Sequence, residues 1–404
     1  MPHTIQTQAQ RRRFDRFDLS RLLRTVFTPT EGCRIGILID LPDLAEANGM
    51  AFLNNPQRAI QRRAHEHFQL ALQNGVMAEL GMHGGEMFAY VQTGGSNLDL
   101  PDLCVDMEGR QLSLERDIYS NYDILLAITS FSATAPLTAF AKQYGFRAAT
   151  MHGVNEVILN SGLAVDYEVV SRDAERLRQA MTQADWVEID FALESGEVLT
   201  AKLELSAQEA QKSHGLCRGS KPDVANLPAG EVYFVPTGAE GHFPMKYEDG
   251  TLGKLTVEGG RILRSELIEG NPQTIAAHNA RLADDPMTGV LGELGFGTQV
   301  LPVSGSDIQD EKVLGTCHLA TGRDDHLGGH ITPDQFKRRQ NATHDDILFA
   351  PHKTPNFDIR QVRMVRGAQR EVLIEHFQPS AYLLKALDTP VPGEEPVACE
   401  AAAA

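Results

Sequence analysis

Apolar positions in the first half of the chain alternate between two spacings, and the alternation repeats. Residues 34–41 (RIGILIDL) form a nearly continuous apolar, β-branched run of strand length, as expected for a strand buried on both faces. Residues 56–74 instead carry Ile60, Ala64, Phe68, Ala71 and Leu72 at helical spacing, with Gly75 as the stop. The same reading predicts strands over 86–92 and 123–129, a helix over 135–144 closed by Gly145, and a short strand over 147–151. This rhythm predicts an α/β class with a parallel sheet covered by helices. Residues 168–184, with alternating charges, predict a connecting helix packed on one face.

The pattern changes at Trp186. Runs at 187–193 and 198–205 flank Glu194-Ser195-Gly196-Glu197, a hairpin signal, and short apolar runs follow at 231–236, 253–258 and 261–266, with Gly259-Gly260 at a turn. A helix is predicted over 272–282 and strands over 358–365 and 370–377. The sequence therefore divides into an N-terminal arm (1–30), an α/β domain (31–185), a strand-rich α+β metal-binding catalytic domain (186–389) and a disordered tail (390–404).

Charge narrows the partners. Lys plus Arg of 37 against Asp plus Glu of 54 gives a net charge of -17, which disfavours nucleic acid and anionic membrane. The basic run Arg11, Arg12, Arg13 lies in the polar arm and reads as a solvated charge run. The longest apolar stretch, 124–137, is interrupted by Thr129, Ser130, Ser132 and Pro136 and is too short to span a bilayer. The 5 cysteines are scattered without a CxxC pair, which excludes a disulfide framework and a thiolate zinc site. With no secretory signal after the start, a cytoplasmic protein is expected. Gly94-Gly95 lacks a complete dinucleotide or Walker pattern and reads as a turn.

Five residues of the second domain are candidate ligands: Glu231, Glu293, His318, His344 and Asp346. Each glutamate follows a glycine and precedes an apolar residue, a setting that projects a carboxylate from a strand rim. His344 and Asp346 are two residues apart, so on a strand both side chains point to one face while Asp345 points away. Imidazole and carboxylate together suit zinc, cobalt, manganese or ferrous iron.

The segments at 226–232, 292–298, 310–322 and 344–349 resemble, in order and approximate spacing, the motifs of the aminopeptidase T/aminopeptidase S family of metalloaminopeptidases. The resemblance covers roughly residues 185–375 and reaches the first domain only through its α/β pattern. It implies two divalent metal ions (zinc, cobalt or manganese) held by Glu231, Glu293, His318, His344 and Asp346. Glu231 would bridge the ions, and Glu293 would serve as ligand or general base beside a metal-bound water. The implied activity is removal of N-terminal residues from short peptides by a homodimeric enzyme whose first domains help enclose the site.

One position departs from that pattern. Where the family places a tyrosine seven residues after the first histidine, this chain has Asp325, which cannot donate a hydrogen bond when ionised. His326 or His330 could substitute, and the basic stretch 335–339 could bind an anionic substrate group. The same resemblance extends to ring-cleaving dioxygenases acting on 2,5-dihydroxypyridine, which use one Fe(II) held by two histidines and an aspartate; here these would be His318, His344 and Asp346. A third reading is a metal-binding homologue without peptidase activity. The two glutamates favour the hydrolase, since a mononuclear iron site has no use for both as ligands.

Overall fold

The computed structural model describes residues 13–390, so Arg11 and Arg12 of the basic run and the expected disordered tail after Pro390 lie outside the described residues. The fold is a mixed α/β architecture built on three sheets. In the first, β1 (Arg34–Leu41), β2 (His83–Val91), β3 (Leu103–Asp106), β4 (Gln111–Ser113), β5 (Ile124–Thr129) and β6 (Arg147–His152) take the order β6-β5-β1-β2-β3-β4. Pairings among β6, β5, β1 and β2 are parallel, and β3 and β4 join antiparallel at one edge. Alternate residues of β1 serve two cores: Ile35, Ile37, Ile39 and Leu41 face one apolar cluster and Leu38 the other. Burial on both faces explains why the run read as continuous.

The remaining strands are β7 (Ala184–Leu193), β8 (Val198–Gln208), β9 (Gln211–Ser213), β10 (Asp223–Asn226), β11 (Glu231–Phe234), β12 (Gly238–Lys246), β13 (Leu252–Glu258), β14 (Arg261–Glu269), β15 (Leu291–Gly297), β16 (Cys317–Gly322), β17 (His344–Phe349), β18 (Phe357–Arg366), β19 (Gln369–Glu375) and β20 (Gln378–Pro379). Eight form an antiparallel sheet in the order β14-β13-β12-β8-β7-β18-β19-β20. A smaller antiparallel sheet, β17-β16-β15-β11-β9, carries the candidate ligands. Its neighbour β10 goes elsewhere. It pairs parallel with β6 and extends the first sheet, so a segment beyond residue 185 completes the α/β half and holds both halves together.

Two local departures from the sequence reading have simple causes. Residues 19–27, assigned to the arm, form a helix capped by the Asp18 side chain that buries Leu22, Leu23, Val26 and Phe27. The helix expected to stop at Gly75 is broken there, with non-helical backbone at Asn74 and Gly75, and a separate short turn, Met77–Leu80, follows and ends at Gly81. Glycine tolerates the φ of 135° that makes the break, and buried Leu80 anchors the turn beyond it. Cys33, Cys104, Cys217 and Cys317 are free and buried. Among the described residues no helix is long and apolar enough to cross a membrane.

The helix Pro272–Asp284 packs on β14, and the Nδ1 of His278 lies 2.6 Å from the Tyr247 hydroxyl. Burial, with a smaller contribution from Arg281, lowers the His278 imidazole to about 4. Because the unfolded chain takes up this proton near pH 6.5 and the folded chain only near 4, His278 favours unfolding as pH falls through that window. A His278→Gln variant should therefore lose less stability than wild type between pH 6.5 and 4, measured by urea denaturation. Parallel pH dependence in the two proteins would contradict this.

Candidate metal centre

The five expected residues converge on one face of the smaller sheet. Glu231 opens β11, Glu293 lies in β15, His318 in β16, and His344 and Asp346 in β17. Antiparallel register sets His318 against Gly295 on one side and Leu348 on the other, while Asp346 lies opposite Ala320. His344 and Asp346 share a face of β17, with Nε2 3.4 Å from Oδ1. Glu293 sits between the imidazoles, its Oε2 2.9 Å from His344 Nε2 and its Oε1 3.5 Å from His318 Nε2. Three overlapping groups could each hold an ion: Glu231, Glu293 and His318; Glu293, His344 and Asp346; and Glu311, His318 and Asp346.

Local structure aims these groups. His344 Nδ1 lies 2.6 Å from the Arg323 carbonyl, so Nδ1 carries the proton and donates it, leaving Nε2 turned into the centre. The His318 ring lies flat across Gly295, where a side chain of any size would overlap Cε1 and Nε2. Glu231, Glu293, His318 and His344 are buried, while the Asp346 side chain is 30% exposed and opens to the cleft.

The electrostatics fit a cation. Burial opposes charge on Glu293, yet hydrogen bonding and charge from His318 and His344 override it and hold the carboxyl well below its usual range. Burial likewise opposes charge on His318, but Glu293, Glu311 and Glu231 push its imidazole up to about 10. His344 is raised in the same way by Asp346 and Glu293. The carboxylates thus demand positive charge, and a divalent ion can supply it in place of the imidazole protons.

Part of that demand is met by a residue to which the sequence reading gave no role. Lys312 is 1% exposed, with Nζ 2.5 Å from Glu231 Oε2 and 2.6 Å from Glu311 Oε1. Burial would lower its ammonium, but Glu231 and Glu311 hold it firmly protonated. Burial pushes the Glu311 carboxyl up to about 7 despite the neighbouring lysine. Lys312 and Glu311 could have been noticed as charges embedded between apolar Ile308, Val313 and Leu314, but their partner Glu231 lies 81 positions away.

The α/β half walls one side of the cleft. Ser96, Asn97 and Ser132 from loops, Thr134 from the start of the helix Thr134–Tyr144 and His152 from the end of β6 line a cavity of about 220 Å³ together with the centre. The turn at Gly94-Gly95 leads to Ser96, whose carbonyl accepts from the His344 backbone N–H at 3.3 Å. Buried Arg323 donates to the Asn97 carbonyl and to Asp99. His152 Nδ1 is buried without a hydrogen-bond partner, and burial lowers this imidazole to about 4. Tyr233, two residues after Glu231 on β11, also reaches the cleft.

The expectations for the following loop separate. Asp325 is turned toward the Arg323 guanidinium, 2.6 Å away, and does not line the cavity. His326 does, with its ring edge-on to His344 at 4.9 Å between centroids, whereas exposed His330 does not. The basic stretch at 335–339 is not an anion site: Lys337 and Arg338 pair with Asp284, and Arg339 with Asp99.

No family model matches the chain, and no curated protein matches it. The fold is similar to the solved structure of 2,5-dihydroxypyridine dioxygenase from Pseudomonas putida KT2440, with a TM-score of 0.57 and 13% identity over 90% of this chain and 97% of that one. This likeness overturns the assignment to the aminopeptidase T/aminopeptidase S family and, with it, the hydrolase and protease reading: the fold match is to a dioxygenase, and nothing found supports a peptidase. The physical reason lies at Glu231. Its carboxylate, expected to bridge two metals, is already engaged by the Lys312 ammonium.

Proposed function

We propose that the protein is a mononuclear, Fe(II)-dependent ring-cleaving dioxygenase acting on a small dihydroxylated aromatic or heteroaromatic compound of the 2,5-dihydroxypyridine type. The observation that carries this reading is that Asp346 stands in one donor group with His344 and in another with His318, on the adjacent strands β16 and β17, while both imidazoles reach Glu293. Two imidazoles and one carboxylate form the donor set that holds ferrous iron while leaving positions open. The likeness in fold to a protein named as such a dioxygenase supports it.

In this reading His318, His344 and Asp346 would hold the iron. The ion supplies one-electron chemistry with O2, which closed-shell organic molecules lack on their own. Glu293, in contact with both imidazoles and held as a carboxylate, would balance the charge of the ion. Asn97, Ser132, His152 and Tyr233 offer hydrogen bonds to the ring substituents. A cavity of about 220 Å³ suits a one-ring compound better than an extended peptide. Neutral His152, with an unpartnered buried Nδ1, can form a hydrogen bond to a ring hydroxyl without carrying charge into the cleft.

Metal replacement tests the proposal. Protein loaded anaerobically with Fe(II) should consume dihydroxypyridines or dihydroxybenzenes once air is admitted, followed by loss of the ring absorbance, while the Zn(II)-loaded protein should be inert. Equal turnover with zinc would rule the reading out.

A further inference from the structure

The three candidate donor groups are not equally free. Two contain a carboxylate already held by Lys312: Glu231 in one, Glu311 in another. The group of Glu293, His344 and Asp346 is untouched by the lysine, and it shares His344 and Asp346 with the proposed iron donors. The ammonium lies at hydrogen-bond distance from both carboxylates and is fully enclosed, so it occupies the space and satisfies the charge that a second cation would need.

We propose that Lys312 is a resident counter-cation that limits this centre to one metal ion, so that the sheet carries the donors of a two-ion site but loads only one. The inference rests on the single-iron reading above and assigns Glu231 and Glu311 a definite task. They anchor a permanent positive charge beside the iron rather than binding metal. An ammonium contributes one charge, no open coordination position and no bound water, so it cannot generate a second nucleophile. It also fixes Glu231 against Glu311, which would otherwise repel across a dry interior.

Metal counting with Co(II) as the probe tests this directly. The wild-type chain should bind one Co(II), and Lys312→Met, prepared in excess Co(II), should bind two. Lys312→Arg keeps the charge and should bind one. Adding Glu231→Gln to Lys312→Met should return the count to one. Two ions in the wild type, or one in Lys312→Met, would overturn the inference. So would failure of Lys312→Met to fold even in excess Co(II), because the incoming ion would then not replace the ammonium. The single-iron reading fails by a different result, an iron-loaded wild type that consumes no oxygen, and that result would leave the Co(II) counts standing.

Discussion

A Gly295→Ala variant should fold normally and bind ferrous iron roughly 10²-fold more weakly than wild type, the scale expected when a reacting or ligating group is misplaced by about 1 Å. The added methyl would overlap Cε1 and Nε2 of the His318 ring, which lies across Gly295 from the neighbouring strand. The ring is the softer partner, since the glycine sits within β15, between β11 and β16. Circular dichroism should therefore be unchanged while iron titration weakens, with oxygen consumption falling in step. Unchanged iron affinity would mean that the orientation of His318 in the structure is not the one that binds metal.

This glycine marks where the sequence stopped being informative. The pair His344 and Asp346 was legible because strand geometry converts a spacing of two into a shared face. The first sheet was legible for the same kind of reason: β1 and β5 are nearly continuous apolar runs because both of their faces are buried. Gly295 and Lys312 act across strands and turns, and their partners are fixed by register and topology rather than by local pattern. The bridging role expected of Glu231 was read without that information. A sequence displays carboxylates, but the counter-ion of Glu231 becomes visible only when residue 312 is folded against it. The strand β10 was missed because four residues on a sheet edge carry almost no periodic signal.

The second large effect is expected at Asp310, which heads the turn leading to Glu311 and Lys312. Its buried carboxylate accepts from Ser304 N at 2.7 Å, Ser304 Oγ at 2.9 Å and Gly305 N at 3.0 Å, and faces His352 Nε2 at 3.0 Å. Asp310→Ala takes the acceptor away from all of them, but Ser304 is half-buried and Gly305 and His352 are exposed, so water can replace the carboxylate for part of the set. A loss of about 1–3 kcal/mol is expected, the scale of one unsatisfied buried group. Urea denaturation should show it as a large fall in the midpoint, and Asp310→Asn, which keeps one acceptor oxygen, should fall less. Because the turn also sets Lys312 between its carboxylates, iron affinity should drop in Asp310→Ala even at low temperature, where the protein is folded. A variant as stable as wild type would show that the turn is held by other contacts.

The two halves of the molecule meet at the centre, and this gives the α/β half a task. The loop after β5, the start of the helix Thr134–Tyr144 and the end of β6 bring Ser132, Thr134 and His152 to the cavity, and Ser96 and Asn97 hold the start of β17 and Arg323 in place. The candidate ligands come from one sheet, and part of the cavity wall comes from the other. Changes in substrate choice should therefore map to the loops after β2 and β5 and to the end of β6.

The central claim is that one ferrous ion in this centre directs O2 into a small hydroxylated ring. Turnover of 2,5-dihydroxypyridine under ¹⁸O2 by protein carrying one iron per chain tests it most directly. The account predicts a ring-opened product that holds both atoms of the labelled oxygen, with one O2 consumed per substrate. A product labelled only from water, or no oxygen consumption by the iron-loaded protein, would contradict it.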